Sequence, residues 1–123
     1  MADTRSTIGK MGEDAACRYL MERGHALLER NWRSGHLEVD IITRAADGLH
    51  FVEVKSRVAP LMADPQDNVR RAKQQHIASA ARRYIAALDA FDEEVWLDVV
   101  AVVFDGSKTE ITYFPGAYTP IYT

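Results

Sequence analysis

The clearest alternation of apolar and polar positions runs from Leu37 to Lys55, as LEVDIITRAADGLHFVEVK. Residues two apart in a strand share a face of the sheet, so this pattern predicts two strands with one apolar face each. The apolar side chains are Leu37, Val39 and Ile41 in the first strand and Val52 and Val54 in the second. The charged side chains on the opposite face are Glu38 and Asp40, then Glu53 and Lys55.

An Asp47-Gly48 pair separates the two strands, and this dipeptide between alternating runs is typical of a tight antiparallel hairpin. If Asp47 and Gly48 are the two turn residues, Asp40 lies directly across from Lys55 and Ile42 faces Glu53. Asp40 and Glu53 are then diagonal neighbours, roughly 7–8 Å apart between backbones. A four-residue loop keeps this register, whereas a three-residue loop breaks it.

Periodicity along the rest of the chain predicts two helices and three more strands. The predicted helices run from a cap at Ser6 or Thr7 to about Arg23, with Gly24 just beyond the end, and from Asp64-Pro65 to about Leu88 or Asp89. The predicted strands are 25–32, 95–104 and 110–114, and the tail from Pro115 is expected to be irregular. The order is helix, three strands, helix, two strands.

The strand at 95–104 is nearly continuously apolar, which is typical of a central strand buried on both faces. It follows the third strand through a helix, so a right-handed crossover should make these two strands parallel. Asp98 interrupts the apolar run, and a lone buried aspartate is more often a hydrogen-bonded structural residue than a ligand. Residues 59–64 have no periodicity and are either a connector or a flap beside the hairpin.

Two acids and a lysine on one sheet face suggest chemistry rather than packing. Carboxylates are ligands for hard cations such as magnesium, which usually takes only one or two of them from a protein. An ammonium group can stabilise phosphate charge or help to deprotonate water. The hairpin is therefore equipped for metal-assisted phosphodiester hydrolysis. The alternative is a cross-strand ion pair between Asp40 and Lys55, which does not explain why Glu53 shares their face.

Charged residues on the helices extend this picture. Glu13 points along the apolar stripe of the first helix, either as an edge glutamate or toward the hairpin acids. Residues 69–88 hold five basic and no acidic residues, including Arg70, Arg71 and Lys73, which form either a solvated face or a nucleic-acid contact. Lys73 lies within the apolar stripe, so it either snorkels or projects toward the hairpin.

Composition sets outer bounds on these interpretations. A chain of 123 residues with 47% apolar content is expected to form one domain, residues 1–123. A single cysteine, Cys17, excludes an internal disulfide and is expected in the core. The N-terminus has no apolar signal core and no run approaches a bilayer span, so we expect a soluble cytoplasmic protein without a membrane partner. The net charge of −3 argues mildly against a general nucleic-acid coat.

Several motifs occur in an order that resembles the bacterial YraN-like family of endonuclease-like proteins. They are Gly9-Lys10-Met11-Gly12-Glu13, Glu38-Val39-Asp40, Phe51-Val52-Glu53-Val54-Lys55-Ser56-Arg57, Lys73-Gln74 and Leu97-Asp98-Val99-Val100. The similarity covers roughly residues 8–117. Asp40 followed by Glu53-Val54-Lys55 resembles the D…ExK signature of the PD-(D/E)XK nuclease superfamily, and the family is similar to archaeal Holliday junction resolvases. Two positions depart from the family pattern: Leu37 replaces a usual glycine, and Tyr113 stands where histidine is common.

The resemblance implies an α/β fold with a restriction-endonuclease-like αβββαβ core, in which helices flank a mixed central sheet. It implies Asp40 and Glu53 as ligands of Mg²⁺ or Mn²⁺, Lys55 as the catalytic lysine and Glu13 as an auxiliary catalytic acid. It also implies Glu38, Lys73 and Gln74 as supporting residues. The expected activity is endonucleolytic cleavage of DNA, including branched or junction DNA in repair or recombination. The resemblance leaves undecided whether the chain forms a homodimer. The alternative function is that of a non-cleaving nucleic-acid-binding module of the same fold.

Overall fold

The computed structural model describes residues 4–60 and 71–118, with side chains from Thr7 and from Ala72 onward in these two ranges. It contains two helices and five strands in the predicted order. They are α1 (Thr4–Glu22), β1 (Ala26–Ser34), β2 (Leu37–Ala45), β3 (Gly48–Val58), α2 (Arg71–Ala86), β4 (Val95–Asp105) and β5 (Lys108–Tyr118). Neither helix in the described ranges is long and apolar enough to cross a membrane.

The strands form one mixed sheet in the order β1-β2-β3-β4-β5. β3 and β4 are parallel, and every other neighbouring pair is antiparallel. The parallel pair confirms the predicted helical crossover between the third and fourth strands. Residues 97–102 of β4 are all buried, as the continuous apolar run predicts for a central strand.

Each helix covers a different face of the sheet. The cluster under α1 is built from Ala16, Cys17, Leu20, Ile41, Val52, Val100 and Val102. The cluster under α2 includes Ile77, Ala80 and Ala81 from the helix and Ile42, Phe51 and Val99 from the sheet. Because adjacent strand residues such as Phe51 and Val52 point to opposite faces, the two helices lie on opposite sides of the sheet. Cys17 is in the core, as predicted.

The helix ends agree only partly with the predictions. Gly24 ends α1 with φ of 93°, and the His25 N–H donates to the Leu20 carbonyl, which confirms Gly24 as the glycine beyond the helix. The predicted cap at Ser6 or Thr7 is wrong, because α1 already includes Thr4. The predicted start of α2 at Asp64-Pro65 lies outside the described residues, and α2 ends at Ala86, a little before the predicted end.

The register of the β2–β3 hairpin differs from the prediction. Ala45 pairs with Gly48, and the turn residues are therefore Ala46 and Asp47. A side chain at Gly48 would meet the Glu94 carbonyl oxygen at 2.3 Å, so this glycine is needed where the chain passes Glu94 rather than inside the turn. The shift pairs Ile42 with Phe51 instead of Glu53. The predicted position of Asp40 directly across from Lys55 is wrong for the same reason.

The last strand is longer than predicted. β5 runs through Pro115 and Gly116 to Tyr118, and its pairing with β4 is irregular between Leu97 and Val99. At this irregularity the Gly116 N–H donates to the Asp98 carboxylate at 2.8 Å, and Gly116 has a φ of 60°. The side chain of Asp98 therefore supplies an acceptor where the backbone ladder is interrupted.

Candidate functional site

The β2–β3 ladder ends at Ile41 and Val52, and the Asp40 side chain continues the contact between the two strands. The Val54 N–H donates to Asp40 Oδ2 over an N···O distance of 2.8 Å. The alternation of β2 also breaks here, because Val39 packs under α2 whereas Ile41 packs under α1. The prediction that these two residues share a face is therefore wrong. As a result, the Asp40 carboxylate is fixed beside the Glu53–Lys55 segment of β3.

Asp40 lies in a cleft of about 740 Å³ between α1, α2 and the end of the hairpin. The cleft also brings together four of the predicted residues. They are Glu13 from α1, Glu38 from β2, Glu53 from β3 and Lys73 from α2. Lys55 and Gln74 do not line it. Arg70 and the side chain of Arg71 lie outside what the structure describes, so their predicted roles stay predictions.

The Asp40 carboxylate is held in an unfavourable environment for a negative charge. Burial raises its pKa, and the nearby carboxylates of Glu13, Glu53 and Glu38 raise it further, while the Val54 hydrogen bond opposes the rise. The resulting pKa of Asp40 is about 7. In the described part of the chain, Asp40 forms no ion pair with a lysine or arginine.

The other three acids of the cleft each face a basic group. Glu53 Oε1 is 2.6 Å from Lys73 Nζ, and Glu38 Oε2 is 3.3 Å from Arg33 Nη2. Glu13 Oε1 is 3.7 Å from Arg30 Nη2, an arginine that also pairs with Asp14 at 2.8 Å. Among the residues that the structure describes, Asp40 is therefore the acid of this cleft whose charge no lysine or arginine balances.

Lys55 points to the same face of β3 as Glu53, as predicted, and is only 5% exposed. Burial lowers its pKa, and repulsion from Lys73 and Arg57 lowers it further, against the attraction of Glu53. The ion pair between Asp40 and Lys55 that a purely structural interpretation requires is not formed. A buried amine with a lowered pKa reaches the neutral form more easily than an exposed lysine.

Gly12 explains how α1 brings Glu13 to the cleft. A side chain at Gly12 would place its Cβ only 1.8 Å from Ser56 Oγ. The helix can therefore approach the end of β3 this closely only with glycine at position 12. This contact holds the first turns of α1 beside the cleft, with Glu13 in its wall.

The cleft contains residues that the sequence-based predictions did not include. His36 and His76 line it with ring centroids 5.8 Å apart, together with Ser56 and Arg57. A signal existed for both histidines: His36 shares the alternation of Glu38 and Asp40, and His76 follows Lys73 by one turn of α2. Tyr118 also lies near Glu53. Burial and then the Glu53 carboxylate raise the pKa of the Tyr118 hydroxyl.

The donor set of the cleft fits magnesium or manganese. In the described ranges, no three His, Cys, Asp or Glu side chains form a group that could by itself hold a metal ion. Magnesium takes one or two carboxylates and fills its octahedron with water and phosphate oxygens. Asp40 and Glu53 can supply these carboxylates, with Glu13 in the same cleft.

Asp98 does not belong to this site. Its Oδ2 accepts hydrogen bonds from the Tyr113 hydroxyl at 2.6 Å and contacts His50 Nδ1 at 2.6 Å, while Oδ1 accepts from Gly116. His50 in turn contacts Asp47 Oδ1 at 2.7 Å through Nε2. The structural interpretation of Asp98 is confirmed.

Comparison with known proteins identifies one family. The model of "Uncharacterised protein family UPF0102" matches residues 12–102. A UPF0102 protein of Nitratidesulfovibrio vulgaris is 38% identical over 118 residues, covering 96% of this chain and 88% of the relative. A UPF0102 protein of Syntrophotalea carbinolica is 39% identical over 118 residues and covers 96% of both chains. One from Bacteroides thetaiotaomicron is 36% identical over 113 residues, covering 92% of this chain and 93% of the relative.

Proposed function

We propose that this chain, which belongs to the uncharacterised protein family UPF0102, is a Mg²⁺- or Mn²⁺-dependent endonuclease with a restriction-endonuclease-like fold. One observation carries the proposal: Asp40 is a half-buried carboxylate with three acidic neighbours and no lysine or arginine partner in the described ranges. A divalent cation bound there would balance this charge. The mixed five-stranded sheet with helices on both faces is compatible with the αβββαβ core.

Asp40 and Glu53 are the metal ligands in this proposal. The Val54 amide orients Asp40, and Gly12 lets α1 hold Glu13 beside it. When bound, the cation supplies a Lewis acid for the phosphodiester and a water of lowered pKa. Glu13 accepts hydrogen bonds from water in the cleft, and Glu38 adds negative charge at its rim.

Lys55 shares the face of Glu53 on β3 but does not line the cleft, and its role as the catalytic lysine in this proposal rests on the resemblance. Its lowered pKa allows the neutral amine to take a proton from the attacking water, and its ammonium form can stabilise charge on the phosphate. Lys73, Arg57, His36 and His76 provide donors for phosphate oxygens along the cleft. Gln74 is half-buried on α2 and supports the helix face that carries Lys73.

The choice of DNA, and of branched DNA in repair or recombination, rests on the resemblance to junction resolvases. The proposal is tested with labelled linear, flapped and four-way DNA and RNA, each incubated with magnesium, manganese or chelator. We expect metal-dependent cleavage of a DNA substrate, lost in Asp40→Asn and in Glu53→Gln.

The matched control is Asp105→Asn, which makes the same chemical change at the exposed last residue of β4. This control should cleave like the wild type, which would assign the loss of cleavage in the other two variants to the cleft. Binding without cleavage would favour the non-cleaving nucleic-acid-binding module. Neither binding nor cleavage of any substrate would contradict both functions.

A further inference from the structure

The ion pair between Lys73 and Glu53 joins two side chains in very different surroundings. The nitrogen and oxygen are 2.6 Å apart, a distance typical of a strong charge-assisted hydrogen bond. The Glu53 side chain is 11% exposed, whereas the Lys73 side chain is 54% exposed. The carboxylate is therefore fixed in the sheet, while the lysine reaches it from solvent on a flexible stem.

In this pair Lys73 contacts Glu53 Oε1, an oxygen that Glu53 would use to bind a metal ion. Lys73 balances the charge of Glu53 when no cation is present, because a buried carboxylate without a partner is costly. A divalent cation on Glu53 would bring two positive charges next to the Lys73 ammonium. The ammonium and the cation then compete for the same oxygen, and the more exposed group is the one that can leave.

The surroundings of the pair allow this exchange. Lys73 lines the same cleft as Arg57, so a released ammonium stays within reach of a phosphate bound there. The buried Tyr118 hydroxyl lies near the Glu53 carboxylate, which adds to the effect of burial in raising the pKa of Tyr118. It is a donor that Glu53 can use once the contact with Lys73 is broken.

We propose that Lys73 is an exchangeable counter-ion of Glu53, which a divalent cation displaces so that its ammonium binds a phosphate of the nucleic acid in the same cleft. The inference rests on the proposed function. It predicts that metal and nucleic acid reinforce each other's binding, since the cation frees the group that the phosphate then uses. Such coupling is reciprocal and typically amounts to about 5- to 150-fold in affinity.

The test is a calorimetric Mn²⁺ titration of wild type, Lys73→Met and the control Lys108→Met, which removes an exposed lysine on β5 far from the cleft in sequence. We expect Lys73→Met to bind Mn²⁺ on the order of tenfold more tightly, because the competitor is gone. Lys108→Met should match the wild type. Lys73→Gln, which retains a hydrogen-bond donor without the charge, should behave like Lys73→Met and guards against a folding defect of the latter.

A second titration uses a labelled DNA oligonucleotide. With Mn²⁺ present, Lys73→Met should bind it on the order of tenfold more weakly, with a salt slope reduced by about one. In chelator, the variant and the wild type should bind it equally, because Lys73 is then held by Glu53. Equal or weaker Mn²⁺ binding by both Lys73 variants would overturn the inference, because Lys73 would then be a permanent support of Glu53.

These outcomes separate the inference from the proposed function. Tighter Mn²⁺ binding by the Lys73 variants without cleavage of any substrate would support the counter-ion role of Lys73 and contradict the nuclease function. Metal-dependent cleavage combined with unchanged Mn²⁺ affinity in the variants would support the nuclease function and contradict the counter-ion role of Lys73. No Mn²⁺ binding by wild type or by either Lys73 variant would overturn both.

Discussion

Two aspartates of this sheet have opposite environments. Asp98 on β4 accepts hydrogen bonds from Tyr113 and Gly116 and contacts His50, so its oxygens are fully used. Asp40 on β2 accepts the Val54 N–H and otherwise has acidic neighbours. The first arrangement holds a strand irregularity together, whereas the second costs stability. A protein can retain such a cost where the group serves binding or catalysis.

The two aspartates also differ in what surrounds them. Asp98 is completely buried, and the network around it includes stacked rings of His50 and Trp96. Asp40 lines an open cleft that a cation and a phosphate can enter. The contrast agrees with a structural role for Asp98 and with the proposed role of Asp40 as a ligand of a cation, and the predictions below test this division.

The largest effect is expected for Asp98→Ala. The change leaves the Tyr113 hydroxyl, the Gly116 N–H and His50 without their acceptor in a buried place, which should cost about 3–5 kcal/mol of unfolding free energy. Denaturant unfolding measures the loss, and Asp98→Asn, which keeps an acceptor for Gly116, should lose less. A loss of less than about 1 kcal/mol of unfolding free energy in Asp98→Ala would contradict a structural role for Asp98.

Lys55→Met tests whether the residues beside Asp40 serve function rather than stability. Methionine fills a similar volume without the charge, so stability should be equal or higher. Turnover should fall about 10²- to 10³-fold, with little change in substrate affinity, if Lys55 acts in the transition state. Single-turnover kinetics and binding titrations separate the two quantities. Weaker binding with turnover preserved would instead make Lys55 a phosphate anchor.

A smaller effect is expected from the pH dependence of the Asp98 network. Burial opposes protonation of His50, but its hydrogen bonds to Asp98 and Asp47 raise its pKa above the usual value of 6.5. The stabilisation is therefore complete below about pH 6.5 and is lost as pH rises through the raised pKa. His50→Gln should remove this part of the profile in denaturant melts between pH 5.5 and pH 8.5. Profiles of the same shape for both proteins would rule out this role of His50.

The smallest effect is expected for Arg57→Gln at the rim of the cleft. Removing one phosphate contact should weaken nucleic-acid binding slightly and lower the slope of affinity against salt by about one. Fluorescence anisotropy at several salt concentrations measures this slope. The control Arg18→Gln removes an exposed arginine on α1 that does not line the cleft and should leave the slope unchanged. An unchanged slope for Arg57→Gln would place the phosphate path elsewhere.

The sequence was sufficient to predict the element order, the parallel β3–β4 pair and the faces of β3, because these follow from local periodicity and from the handedness of crossovers. The hairpin register could not be predicted in this way. Gly48 is needed where the chain passes Glu94, a contact between residues far apart in sequence. The length of β5 was underestimated because Pro115 and Gly116 interrupt strands locally, whereas Asp98 compensates from a neighbouring strand.

The residues that form the site were predicted more accurately than the contacts between them. Asp40, Glu53 and Glu13 were predicted to lie together and do lie in one cleft, but Asp40 was predicted to lie directly across from Lys55, and it does not. The error follows directly from the register. The raised pKa of Asp40 depends first on burial and then on acids from three different elements, and no single stretch of sequence contains them.

The most direct test of the account compares thermal and denaturant melts of wild type and Asp40→Asn, in chelator and in millimolar manganese. Because the pKa of Asp40 is about 7 in the folded protein, its ionised form costs stability that grows as pH rises from about 4 to 7. In chelator at pH 8, Asp40→Asn should therefore be more stable by on the order of 2–4 kcal/mol, and this gain should shrink toward pH 4.

Manganese should raise the melting temperature of the wild type, because it binds the folded state alone, and it should have no effect on Asp40→Asn. This pair of results would support a cation site at Asp40. A wild-type melt that is insensitive to manganese and magnesium, together with a destabilised Asp40→Asn, would contradict the metal site and the nuclease function based on it.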